Sequence, residues 1–211
     1  MGKRGQLGEL EHTIALVQKR WGARALRRAR ERDPSAEPLA LSTGLPGVDK
    51  ALGIGGLPRG RIAELIASET AGQNVLAAMT LGQAQREGQR VAYVDASDSL
   101  DLDLMSRCGV RLDALAVLRP GSFGQALQMA DGLLRGGRIG ALVFYRLHPT
   151  LSRGDLIALD QALRQWLALL NHSFCTLIFH TETVLPDVYP PGLSLPYFAS
   201  VRLGFERERW A

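Results

Sequence analysis

Apolar positions follow two different periods along the chain. Leu10, Ile14, Val17 and Trp21 recur at spacings of four, three and four, which predicts an amphipathic helix over 9–31. Asp33-Pro34-Ser35-Ala36-Glu37-Pro38 breaks that pattern and reads as a linker. Beyond it, short apolar runs alternate with helical spacings. Arg61–Ile66 predicts a strand, and 73–87 a helix through Val75, Leu76, Met79, Leu81 and Ala84, stopped by Gly88. Arg90–Asp95 predicts the next strand, followed by a short helix near 100–107 and a strand at 114–118. A helix over 123–135 stops at Gly136-Gly137. Ile139–Tyr145 and Phe174–His180 are near-continuous apolar runs on either side of a helix over 153–170. Runs of that kind suit strands buried on both faces of a parallel sheet. Phe198–Arg207 alternates instead, which predicts a more exposed edge strand.

Strand and helix in alternation imply an α/β class: a mostly parallel central sheet flanked by helices, with ligands expected at the carboxyl ends of the strands. The expected organisation is a basic helical arm and linker over 1–38 and an α/β core over 39–211, with no further C-terminal domain.

Composition narrows the class. The chain has 211 residues, 46% of them apolar, and two cysteines. That excludes collagen-like, disulfide-stapled and wholly disordered proteins. No run reaches the ~18 uninterrupted apolar residues of a membrane span, and the start Met1-Gly2-Lys3-Arg4-Gly5 has no apolar signal region. A cytoplasmic location without membrane contact is expected. Charge is uneven: residues 1–32 hold nine basic and three acidic residues, net +6, leaving −2 over the other 179. Lysine occurs only at Lys3, Lys19 and Lys50. The histidines show no metal-ligand spacing, so no metal or other cofactor is expected.

The segment from Leu41-Ser42-Thr43-Gly44-Leu45-Pro46-Gly47 through Gly55-Gly56-Leu57-Pro58-Arg59-Gly60-Arg61-Ile62 resembles the opening of the RecA recombinase core. The likeness continues in order through Ala84-Gln85-Arg86-Glu87-Gly88, Tyr93-Val94-Asp95-Ala96, Cys108-Gly109-Val110, Gly124-Gln125-Ala126-Leu127, Gln161-Ala162-Leu163-Arg164 and Tyr197-Phe198-Ala199-Ser200-Val201-Arg202-Leu203. The resemblance implies a RecA-like P-loop core preceded by a helix at the place of the family's self-assembly arm.

The departures from that family fall on its nucleotide chemistry. Its phosphate loop, G-x-x-x-x-G-K-[ST], uses backbone N–H groups to cradle phosphates, the lysine to neutralise them and the hydroxyl to hold Mg²⁺. This chain reads Ala67-Ser68-Glu69-Thr70-Ala71-Gly72-Gln73-Asn74. Gly72 is kept, while Ala67, Gln73 and Asn74 replace the first glycine, the lysine and the hydroxyl residue. No lysine follows Lys50, and Arg59 and Arg61 precede the strand at its far end. Ser97 stands where the family has its catalytic glutamate, Tyr145 where it has a metal-supporting aspartate, and Glu182 where it has a coupling glutamine. Asp95 and Asp98 are the nearby carboxylates that remain. A serine needs a partner to act as a base at neutral pH, and a tyrosine brings no negative charge to a metal.

The family's two DNA-binding loops are altered as well. Only Thr150-Leu151-Ser152-Arg153-Gly154 remains of the first. The second, 183–196, has four prolines, Tyr189 and no cation, which favours contact with a protein groove or a rigid connection over phosphate tracking. The expected reading is a RecA-like protein that does not hydrolyse ATP, resembling the ImuA family of accessory factors. That resemblance implies a role in DNA repair, in SOS-type translesion synthesis, with a RecA-type recombinase or a Y-family-like polymerase subunit as partner. Leu10, Ile14, Val17 and Trp21 are the candidate docking stripe; Lys19, Arg20, Arg24, Arg27 and Arg28 are candidate DNA contacts. A single-stranded-DNA-binding module and a weak ATPase with an atypical phosphate loop are the alternatives.

Overall fold

The computed structural model describes residues 3–23, 25–26, 40–68, 71–147, 151–183, 189 and 191–207. The chain divides into two compact units, Met1–Glu37 and Pro38–Ala211. Within the first, helix α1 spans Lys3–Trp21, so the helix predicted over 9–31 begins earlier and ends at Trp21; residues 24 and 27–31 of that prediction lie outside the described residues. Gly22 stops it. Its φ is 92° and its N–H donates to the Gln18 carbonyl at 2.8 Å, a left-handed cap that glycine adopts without strain. The Gln18 side-chain amide then donates to the Leu26 carbonyl at 3.0 Å and secures the turn that follows. The apolar spacing itself ends at Trp21; the predicted helix ran on to the break at Asp33-Pro34 and passed over this glycine.

The second unit begins with a small ribbon that spacing did not reveal. β1 (Ala40–Leu41) pairs antiparallel with β2 (Leu57–Pro58), and α2 (Pro46–Ala51) lies between them. The Asp49 carboxylate organises this segment: it accepts from Ser42 Oγ at 2.6 Å, from Thr43 Oγ1 at 2.6 Å and from the Thr43 N–H at 2.9 Å. Burial pushes its pKa up, but these bonds outweigh burial and leave it lowered. Gly56 is required here, because a Cβ would lie 2.1 Å from the Leu41 carbonyl oxygen.

The core then alternates as the pattern predicts: β3 (Arg61–Ala67), α3 (Gln73–Arg86), β4 (Arg90–Asp95), α4 (Leu102–Arg107), a 3₁₀ turn, β5 (Leu115–Leu118), α5 (Phe123–Gly136), β6 (Ile139–Leu147), α6 (Arg153–Leu170), β7 (Thr176–Glu182), a one-turn α7 (Leu195–Phe198) and β8 (Ala199–Phe205). Six strands form one sheet in the order β5-β4-β6-β7-β3-β8, and every neighbouring pair is parallel. β8 lies at an edge and alternates half-buried with exposed residues.

Two apolar layers sandwich the sheet. On one face Leu76, Leu81 and Ala84 of α3 and Met105 of α4 pack on Ala63, Leu65, Tyr93, Val143 and Ile178. On the other, Leu159, Leu163, Trp166 and Leu170 of α6, at helical spacing, join α5 over Ile62, Val94, Phe144 and Phe179. α6 starts where Ser152 and Asp155 form a reciprocal capping box, and Trp166 Nε1 donates to Asp131 Oδ1 of α5 at 3.1 Å. Among the described residues, no helix is long and apolar enough to cross a membrane.

Candidate functional site

From β3 the chain passes through α3 to β4, which lies beyond β7 and β6 in the sheet. That jump opens a crevice at the carboxyl ends of β3, β7 and β6, where ligands bind in open α/β sheets. Ala67 closes β3, in register with Glu182 of β7. Gly72, with φ 99°, precedes α3, and no side chain caps the helix. Gln73 folds back so that its Oε1 accepts from the Ala71 N–H at 2.8 Å. Asn74 Oδ1 is buried and accepts no hydrogen bond.

A cavity of about 110 Å³ lies in this crevice, bounded by Ala67, Gln73, Tyr145, Arg146, His180 and Glu182 among others. Ligand sites for drug-sized molecules run to roughly 300–1,000 Å³. Arg146 Nε lies 3.0 Å from Glu182 Oε2, an ion pair across the ends of β6 and β7 with 37% and 29% of the two side chains exposed. His180 is 3% exposed, and neither ring nitrogen has a hydrogen-bond partner. Burial depresses its pKa to about 3, which keeps the ring neutral at physiological pH. Tyr145 packs edge-on against it at 5.2 Å between centroids and lies 5.8 Å from Tyr93. The Tyr93 phenol is raised well above its ordinary value, first by burial and then by Tyr145 and Asp95.

Ser97 sits beside this cavity rather than in it. It lines an adjoining hollow with Arg146 and Phe123. Its hydroxyl lies 2.7 Å from Ser99 Oγ and 3.5 Å from Asp95 Oδ1. Asp95 is buried and already engaged, accepting from the Ser99 and Leu100 N–H groups at 3.1 Å each. Asp98 pairs with Arg119 at 2.9 Å. The two carboxylates near Ser97 thus hold the turn after β4. At the opposite end of the strands, Arg59 pairs with Glu87 and donates to Gln89 Oε1 at 2.9 Å, while Arg61 bonds the Asn171 side chain. Neither reaches the phosphate-loop position.

The other face of the same strands carries a second polar group. Glu64, in the middle of β3, is fully buried. It accepts from Thr181 Oγ1 at 2.5 Å, from the Tyr189 hydroxyl and from Arg202 Nε at 2.7 Å. The Arg202 guanidinium lies 5.0 Å from the centre of the Tyr189 ring. Burial and the adjacent Glu64 charge raise the Tyr189 phenol. Burial alone would lower the Arg202 guanidinium, but its bond to Glu64 raises it. Tyr189, which the sequence offered as a contact for a partner groove, therefore directs its hydroxyl into its own sheet.

The residues present do not fit a magnesium-bound triphosphate. A glutamine and an asparagine open α3, the carboxylate at the end of β4 holds a turn, and the cation and anion at the cavity mouth are drawn into an ion pair with each other. The structure gathers Ala67, Gln73, Tyr145 and Glu182 around one cavity with Gly72 and Asn74 at the start of α3, and sets Ser97 apart. On α1, Leu10 and Trp21 are exposed and Ile14 and Val17 half-buried; Lys19 and Arg20 are exposed, with the Arg20 guanidinium 4.8 Å from the Trp21 ring centre. Arg24, Arg27 and Arg28 lie outside the described residues, as do the linker and residues 184–188 and 190 of the 183–196 loop. Sequence reasoning missed Arg146 and the Glu64 group. An unexplained glutamate inside an apolar strand was the available signal for the latter, and opposite charges at the ends of adjacent strands the signal for the former.

Comparison with known proteins agrees with this architecture. The family model for the RecA N-terminal domain matches residues 8–209. Protein RecA of Rhodospirillum centenum is 33% identical over 94% of this chain and 61% of its own length. The RecA proteins of Blastochloris viridis and Azospirillum lipoferum are each 32% identical over 94% of this chain, covering 63% and 61% of their own lengths. The chain thus spans about three fifths of the length of these relatives. From the opening ribbon to the last edge strand, the chain belongs to the RecA family.

Proposed function

We propose that this RecA-family chain is an accessory protein of DNA repair that works by protein contact and does not turn over ATP. The observation that carries this reading is the crevice itself. Where a triphosphate and its metal need an ammonium group, a hydroxyl and free carboxylates, Gln73, Asn74, Ser97 and Tyr145 stand instead, and Arg146 and Glu182 neutralise one another. Restoring one part would leave the others missing. The reading extends to an ImuA-like role in SOS-type translesion synthesis, with a RecA-type recombinase or a Y-family-like polymerase subunit as partner. Leu10, Ile14, Val17 and Trp21 of α1 would form the docking stripe, and Lys19 and Arg20 border it.

Phosphate release with Mg²⁺–ATP, with and without single-stranded DNA, should stay at background for the native chain and for Gln73→Lys combined with Asn74→Thr. Turnover that disappears on Asp95→Asn would instead establish an unconventional ATPase. Recovery of purified RecA by the full chain should fall on Ile14→Asp with Trp21→Asp; equal recovery would remove α1 as the docking element.

A further inference from the structure

An open groove lies at the amino ends of β4 and β6, where α5 finishes. It has a volume of about 430 Å³ and is lined by Arg90, Gly132, Leu133, Gly136, Arg138 and Ile139. Leu133 and Ile139 are half-buried and form an apolar floor. Arg90 is in register with Ile139 across the strand pair, so a cation borders that floor directly. Gly132 leaves the α5 wall open, since a Cβ there would meet nothing within 4 Å. Arg90 and Arg138 are both exposed. Arg59, Arg107, Arg119, Arg135, Arg146, Arg164 and Arg202 each pair with a carboxylate. Arg90 and Arg138 pair with none among the described residues. The carboxyl end of α5 adds partial negative charge here, so attraction for an anion must come from these two guanidinium groups.

We propose that this groove docks a short acidic and apolar segment of a partner protein. A Leu- or Phe-sized side chain would rest on the floor against Gly132, and flanking Asp or Glu carboxylates would meet Arg90 and Arg138. Charge complementarity selects this occupant. A second copy's own N-terminal segment, net +6 over residues 1–32, would bring like charge to two unpaired cations. A nucleic-acid backbone needs a track of cations and makes no use of an apolar floor, whereas bidentate arginine suits a carboxylate.

Fluorescence polarisation of the full chain with a fluorescein-labelled peptide tests this, the peptide carrying a Leu-Phe pair between Asp-Glu flanks. The same peptide with Lys-Arg flanks is the control, and a single-stranded oligonucleotide the competitor. The acidic peptide should bind and the basic one should not, with no displacement by the oligonucleotide. Arg90→Glu with Arg138→Glu should weaken binding about tenfold or more. Gly132→Leu should block the floor with melting temperature unchanged or raised, because leucine is the better helix former and its Cβ meets nothing. No binding of the acidic peptide, equal binding of the basic one, displacement by the oligonucleotide, or indifference to both variants would overturn the proposal.

Discussion

Glu64 and His180 sit on adjacent parallel strands, one register position apart, and both are almost fully buried. Their surroundings differ completely. Glu64 faces the α6 layer and has three side-chain donors, one of them a cation. His180 faces the α3 layer and has none. Burial penalises a charge, and the fold answers it in two ways: the carboxylate is given partners, and the imidazole is held neutral. The first solution knits β3, β7, β8 and the 183–196 loop together through Tyr189. The second leaves an unbonded ring beside the small cavity at the ends of the strands.

The largest expected effect comes from breaking the partnered side. Arg202→Leu leaves Glu64 buried with only two neutral donors, and should cost about 2–3 kcal/mol in chemical denaturation. That is below the penalty for a wholly buried pair, because Arg202 keeps part of its side chain in water. A loss under about 0.5 kcal/mol would mean that the hydroxyls of Thr181 and Tyr189 alone carry the carboxylate.

The unpartnered side predicts a change of opposite sign. His180→Leu removes two unbonded nitrogens from the core and should stabilise the protein at neutral pH by about 1–2 kcal/mol. Its pH dependence identifies the cause. The imidazole titrates near 6.5 when unfolded and at about 3 when folded, so between those values the unfolded chain binds the extra proton. Stability should therefore be unaffected by this group above about pH 7. It should fall as pH drops from about 6.5, by up to roughly 1.4 kcal/mol per pH unit. Asp49 and Asp160, whose pKa values lie below 3.8, lose their contributions only at lower pH. Denaturation curves between pH 4 and 7 should show the slope in the native chain and lose most of it in the variant. An unchanged slope would place the proton elsewhere.

How far each side was legible in the sequence follows from the same physics. Order and type of the main strands and helices could be read because most apolar runs are bounded by Gly88, Gly136-Gly137 or a cap such as Ser152, so pattern and punctuation agree. The end of α1 was misplaced because the helix was carried on to the break at Asp33-Pro34, beyond Trp21 where the apolar spacing ends and past the stop signal of Gly22. β1, β2 and α2 escaped because two-residue strands and a six-residue helix are too short to show a period. At the site, absences such as Gln73 and Tyr145 could be read one residue at a time. Pairs could not. Glu64 meets Arg202 across 138 positions, and Arg146 meets Glu182 only because β6 and β7 are neighbours in a sheet whose order differs from the chain order.

The smallest expected effect sharpens what the cavity is. Arg146–Glu182 is the ion pair that spans the mouth beside His180 among the described residues, and both members are about a third exposed. A pair so placed should contribute under about 1 kcal/mol, because water screens it and two long side chains must be held still. Arg146→Ala should therefore barely move the denaturation midpoint at low salt and not at all in high salt. Its visible consequence should be local: with the guanidinium gone, water reaches the imidazole more readily, and the His180 pKa, followed by NMR, should rise from about 3 toward its ordinary value. A loss of stability as large as that of Arg202→Leu would erase the contrast between the two faces, since it would mean that the cavity side also depends on a cation to offset burial.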